Sequence, residues 1–313
     1  AGGAQTDSAP LPCTGAEALG AQATIAATSS ANARLIEAVM AGDLTAAQAA
    51  VADGASVRAQ DVHGQEPLHL ACGNDHLDIA QWLHRAGASL DATNIRGDTP
   101  LNAACCDGHL DVAQWLHRAG ASLDATSSKG HTPLHFACSW GHLDVAQWLH
   151  GAGASLDATD NEGRTPLHHA CEVGQHLGMI SWLCSAGADA TLKDKYGGTP
   201  AQVLQEHEPA DRDKQAFNST MNALLAAEAR RLYGLAAAQG ESDAQFNLGS
   251  MHYKGEGGPV DLAEARRLIE LAAAQGHAKA QKLLGLLDRA AEKQLAKEHA
   301  DADAMMEQLL AED

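Results

Sequence analysis

Apolar positions recur along the chain at two nested spacings. Within short segments they fall at i, i+3 and i+4, as in Leu101, Ala104 and Cys105, or as the stripe Leu110, Ala113 and Leu116. That spacing puts them on one face of a helix. The segments themselves recur every 33 residues. Pro67, Pro100, Pro133 and Pro166 keep this step, and so do Cys72, Cys105, Cys138 and Cys171. Trp82, Trp115 and Trp148 follow it too, with Trp182 one residue late. Residues 76–93 and 109–126 differ only at Ile79 against Val112.

Each 33-residue unit predicts two short helices and a turn. Thr99 can cap the first helix, and Pro100 suits its first position, where a missing N–H costs nothing. Gly108 can end it in a left-handed conformation. The second helix starts near His109, carries Asp111 in its first turn, and stops at Gly120. The polar run to Gly130 supplies the turn to the next unit. Neither helix is long enough to be stable alone. Each must bury its apolar stripe against a neighbour, so the units are expected to stack as an all-α solenoid. A weaker copy lies upstream at Gly42-Asp43-Leu44, and a truncated one downstream at Gly197-Gly198-Thr199-Pro200.

These residues resemble ankyrin repeats. Thr132-Pro133-Leu134-His135-Phe136-Ala137 matches that family's T-P-L-H-x-A signature, and Gly141-His142-Leu143 with Gly151-Ala152-Gly153-Ala154 fit the rest of its pattern. The resemblance implies an ankyrin stack of helix-turn-helix units with β-turn connections over 31–205: an N-terminal cap, four full repeats and a C-terminal half repeat. The chain departs from the pattern where Glu66 replaces the capping Thr, Asn102 the signature His, and Asp75 the turn Gly. Gln175 is an extra residue in the fourth repeat, and Gly178 weakens its second helix. The first and fourth repeats are therefore expected to be the least regular.

After Leu204 the composition shifts. Residues 206–222 read as a polar linker. Beyond it, Glu228-Ala229-Arg230-Arg231-Leu232 recurs 36 residues later as Glu264-Ala265-Arg266-Arg267-Leu268. With the Ala236–Gly240 turn, Ala244-Gln245 and Tyr253, this resembles the Sel-one-like repeat, an α/α hairpin unit related to tetratricopeptide repeats. It is placed at 223–290. Residues 291–313 read as a final amphipathic helix, and 1–30, poor in large apolar side chains, as disordered.

Composition narrows the function. Lys and Arg number 21 against 40 Asp and Glu, a formal charge of −19. Nucleic-acid affinity comes mainly from Lys and Arg neutralising phosphates, so nucleic acid is an unsuitable partner. An anionic membrane surface is excluded on the same ground, and no 18-residue apolar run provides for membrane insertion. The seven cysteines show no disulfide-scaffold spacing, which favours an intracellular, reducing compartment such as the cytoplasm.

Candidate chemistry is sparse. Equivalent helices in a stack lie about 8–10 Å apart, too far for the Cys ladder to form disulfides or share one metal. It reads as a row of buried small residues. The His sets His69/His135/His168 and His76/His109/His142 occupy family positions that bond nearby backbone. The set His84/His117/His150 reads as a partly exposed row. No phosphate-binding loop, nucleophile elbow or zinc-protease motif is present, so no catalytic residue, cofactor or metal is expected.

The repeats disagree in one region. Repeats 94–126 and 127–159 differ at nine positions, eight of them before Gly108 and the ninth at Arg118 against Gly151. The ankyrin resemblance implies that this variable turn and first helix line a concave partner-binding groove. Carried over by position, the groove residues are His63, Gln65 and Asn74 in the first repeat, then Ile95, Arg96, Asp98 and Asp107. The third repeat adds Lys129, His131, Phe136 and Trp140. The fourth adds Asn161, Glu162, Arg164, His169 and Glu172, with Lys195 and Tyr196 beyond. Trp140 stands outside the Trp ladder and is the leading candidate anchor. The implied function is a protein-interaction adaptor or scaffold that binds a protein or peptide. The alternative is a structural or regulatory subunit of a larger complex, with metal binding or catalysis third.

Overall fold

A computed structural model describes residues 30–174, 176–206 and 214–285. The expected C-terminal helix at 291–313, the extra residue Gln175, and all of the N-terminal segment but Ser30 lie outside these residues. All regular elements among the described residues are helices. The chain divides into two compact units, the first running to Leu224 apart from 185–187, and the second comprising those three residues and the chain from Leu225.

The first unit is a stack of helical hairpins. Helices α1 (Ser30–Met40) and α2 (Leu44–Ala52) form its first layer. Four hairpins follow: α3 (Pro67–Gly73) with α4 (Leu77–Arg85), α5 (Pro100–Asp107) with α6 (Leu110–Arg118), α7 (Pro133–Trp140) with α8 (Leu143–Gly151), and α9 (Pro166–Val173) with α10 (Leu177–Ala186). Helix α11 (Pro200–Gln205) is the half repeat. The first helices pack in series, α3 on α5, α5 on α7, α7 on α9 and α9 on α11. Each begins with Pro, and Thr99, Thr165 and Thr199 accept the N–H three residues on.

The core is a repeating aliphatic ladder. Leu68, Leu101, Leu134 and Leu167 from the first helices and Leu83, Leu116, Leu149 and Leu183 from the second are fully buried. Each such side chain contributes about 1.5–3 kcal/mol relative to exposure. Cys72, Cys105, Cys138 and Cys171 are buried, free thiols beside them. The Trp row is not part of this core. Trp82, Trp115, Trp148 and Trp182 are half-buried, and the last three meet His84, His117 and His150 of the preceding repeat edge-on at about 6 Å.

Two further histidine rows tie repeats together. His69, His135 and His168 reach the backbone oxygens of Asp98, Arg164 and Gly198 at 3.0–3.2 Å. His109 and His142 reach Gly73 and Cys106 oxygens at 3.1 and 2.9 Å. The second row explains a glycine. Gly108 has φ +81°, and any side chain there would also strike the ring of His142.

The second unit contains the remainder of α12 (Lys214–Ala238), α13 (Ser242–Lys254) and α14 (Leu262–Ala274). Helix α12 begins inside the segment read as a linker, and 207–213 of that segment lie outside the described residues. Helices α13 and α14 pack closely because Gly249 presents no Cβ to Ile269 and Leu268. Buried Gln245 donates to the Ala237 oxygen at 3.3 Å and accepts from Gln275 at 2.7 Å. Arg230 holds the glycine-rich turn through the Pro259 oxygen at 3.0 Å. No described helix is long and apolar enough to cross a membrane.

Candidate functional site

The candidate site is the row of turns that precedes the first helices. Every turn starts at one register position, occupied by Asp61, Asn94, Ser127, Asp160 and Asp194. In each, the side-chain oxygen accepts backbone N–H groups two and four residues on; for Asp160 these are Glu162 at 2.8 Å and Arg164 at 2.9 Å. Asx-type turns of this kind fix the loop without a strand partner. One backbone bond links each turn to the next: Ile95 to His63, Ser128 to Arg96, Asn161 to Lys129, and Lys195 to Glu162, at 2.8–3.1 Å. The row of oxygen-bearing residues is visible in the sequence, but its role emerges only from this geometry.

This frame presents a varied apex. One register position carries His63, Arg96, Lys129, Glu162 and Tyr196. The preceding position carries Val62, Ile95, Ser128, Asn161 and Lys195. Ile95 is 71% exposed and Tyr196 76%, and His63, Arg96, Lys129, Asn161 and Lys195 are also exposed. Behind the apex, Asn74, Asp107, Phe136 and Trp140 are half-buried at the first helices, while Glu172 is exposed.

Three of the carried-over groove residues are not open to a partner. Gln65, Asp98 and His169 are buried, because their side chains turn under the loops. Asp98 accepts from Arg96 Nε at 2.9 Å and from Asn94 Nδ2 at 3.2 Å. His169 Nε2 lies 2.9 Å from Asp160 Oδ2. Two rim cations of the fourth repeat and the turn beyond it are already matched. Arg164 contacts Glu162 at 3.0 Å and both oxygens of Glu172 at 3.0–3.1 Å, and Lys195 contacts Glu162 at 2.7 Å. The Lys195 hydrogen bond, more than any other influence, lowers the Glu162 pKa.

A polar cluster lies beneath the third and fourth turns. Asp160 has a fully buried side chain, with His131 Nε2 at 3.4 Å and His169 Nε2 at 2.9 Å from its Oδ2. Burial raises the Asp160 pKa, but the adjacent His131 and His169 side chains and the Arg164 backbone N–H outweigh it and hold the carboxyl well below its usual range. Burial pushes His135 down to about 3, helped by the neighbouring His169 and His131 rings. His169 is lowered as well, again mainly by burial. The donor atoms of His131, Asp160 and His169 all lie within 4.8 Å of one another, a spacing compatible with a metal ion. The five free thiols among the described residues, by contrast, are buried and their pKa values raised. Such thiols are inert in any compartment and do not report on redox conditions.

The family model for Ankyrin repeats (3 copies) matches residues 35–127 and 115–194, and that for the Sel1 repeat matches 226–241 and 242–277. No curated protein matches the chain. Both repeat types are generally protein–protein interaction modules and typically non-enzymatic, and no catalytic family is indicated.

Proposed function

Since the chain belongs to the ankyrin-repeat family, we propose that it is a non-catalytic adaptor that binds a partner protein or peptide across the turn apices and inner helix ends. The observation that supports this most is the apex row. Five different residues, His63, Arg96, Lys129, Glu162 and Tyr196, stand at one register position on nearly uniform supports. A stack needs the supports alike and leaves the apices free. Exposed Ile95 and Tyr196 add apolar contact area, and half-buried Trp140 adds the kind of anchor that dominates interfaces. The paired charges on the rim suit a polar peptide of mixed charge rather than a polyanion.

The test is recovery of a co-purified partner by the wild-type chain and by the double variant Trp140→Ala, Asp107→Ala. Recovery is expected to fall at least tenfold while the circular-dichroism spectrum is unchanged. Equal recovery would contradict the assignment of the groove.

A second reading, a permanent subunit of a larger assembly, is favoured by one feature of the second unit. Leu232, Leu235, Tyr253 and Leu262 are each more than half exposed, and apolar surface of that extent marks interaction faces. Sedimentation of the endogenous protein separates the two readings, because an adaptor has a free pool and an obligate subunit has none.

A further inference from the structure

The three donors beneath the third and fourth turns come together at one register only. The positions of His131, Asp160 and His169 are held by Gln65, Asn94 and Ala103 two layers earlier, and by Asp98, Ser127 and Phe136 one layer earlier. One layer later they are held by Arg164, Asp194 and Val203. Nothing in the packing of the stack therefore requires a His-Asp-His triad. The other layers fold without one.

The hydrogen bonds around the triad are incomplete in a specific way. Ser139 Oγ lies 2.9 Å from the His135 backbone oxygen and 3.2 Å from His169 Nδ1. On its other side the same ring sets Nε2 2.9 Å from Asp160 Oδ2. His131 Nε2 is buried with no hydrogen-bond partner among the described residues, and it faces the same oxygen at 3.4 Å. Two imidazole nitrogens thus converge on one carboxylate oxygen, and one of them is left unsatisfied by the protein. A proton on each ring is the costlier way to satisfy them, because burial penalises a charged imidazolium.

We propose that His131 Nε2, Asp160 Oδ2 and His169 Nε2 form a divalent transition-metal site, with zinc the ion their donor set suits. Two imidazoles and one carboxylate, with a fourth position left for water, are a familiar zinc ligand set. Ligands about 2.0–2.2 Å from zinc stand about 3.3–3.6 Å apart in a tetrahedron, so small side-chain rotations bring the present atoms into place. The outer partners are present. His169 is oriented by Ser139, and Asp160 is fixed through its other oxygen by the Glu162 and Arg164 N–H groups. Arg164 Nε lies 3.4 Å from Asp160 Oδ2, but its guanidinium is held by Glu162 and Glu172, so a metal can displace that contact without stranding the charge. Because His131 belongs to the third turn and the other two ligands to the fourth repeat, the ion would clasp neighbouring layers. This inference is independent of the groove reading.

The test is titration of metal-free, full-length protein with Zn²⁺ and, for spectroscopy, Co²⁺. One equivalent per chain is expected to saturate. Cobalt should show visible bands without thiolate charge transfer, and zinc should raise the unfolding midpoint. Since His169 is buried, the partly exposed His131 carries the test. His131→Gln should weaken binding by about 100-fold, and Ser139→Ala, which removes the outer partner of His169, by about tenfold. His84→Gln, in the outer row, should leave the affinity unchanged. Absence of saturable binding in folded wild-type protein, or equal affinity in wild type and His131→Gln, would overturn the site.

Discussion

Asn102 occupies the position that His69, His135 and His168 fill in the other full repeats. Those rings accept an N–H from the capping residue and donate to the backbone 29 or 30 residues on. The shorter amide of Asn102 spans neither gap. Its Nδ2 and Oδ1 are both buried without a partner among the described residues. Each orphaned buried group costs about 1–3 kcal/mol. Asn102→His is therefore expected to stabilise the protein by about 1–3 kcal/mol, read as a rise in the denaturant midpoint at unchanged slope. A lower midpoint would show that the second repeat has closed over the smaller side chain. Asp75 is a second misfit. With φ +62° it is the one described non-glycine residue in the left-handed region, where the other full repeats carry Gly108, Gly141 and Gly174. Asp75→Gly should relieve about 1 kcal/mol of backbone strain. Both misfits are legible in the sequence as breaks of a 33-residue pattern. Their cost is not, because it depends on burial.

The helical hairpin is the unit of folding, and its signals are local. Threonine caps, N1 prolines and left-handed glycines sit where the pattern places them, so the element boundaries could be read from the chain. The second-helix histidines, by contrast, are understood only across layers, since His142 closes on Gly108 of the preceding repeat. Gly108→Ala combines a left-handed φ with that clash and is expected to cost more than 2 kcal/mol, measured by chemical denaturation. Burial also couples these elements to pH. His69, His135 and His168 have lowered pKa values, chiefly through burial. The unfolded chain takes up protons below about pH 6.5, and the folded chain does so only at lower pH. Stability is then full above the unfolded pKa and declines as pH falls below it, by up to about 1.4 kcal/mol per pH unit for each group. Thermal unfolding in chelator-treated protein should show a lower midpoint at pH 5.5 than at pH 7.5, with a shallower decline in His69→Gln. A midpoint that rises toward acid would contradict the neutral, buried state of these rings.

For the whole molecule, periodicity revealed the stack but not the chemistry beneath the turns. His131, Asp160 and His169 stand 29 and 9 residues apart, spacings that match no metal motif, and only superposition of successive repeats brings them together. The same superposition would have shown the Asp61, Asn94, Ser127, Asp160 and Asp194 row, which fixes every turn. It would not have shown that Gln65, Asp98 and His169 point inward, because solvent exposure at a turn base is set by the loop's curl. What remains exposed is a line of unlike side chains on a regular scaffold, and the recognition role rests on that contrast. A photo-crosslinking amino acid placed singly at Ile95, at Tyr196 and at Gln147 on the exposed side of α8 tests it most directly. Adducts with one partner from Ile95 and Tyr196, and none from Gln147, are the expected result. Adducts from Gln147 with none from the turn positions would contradict it.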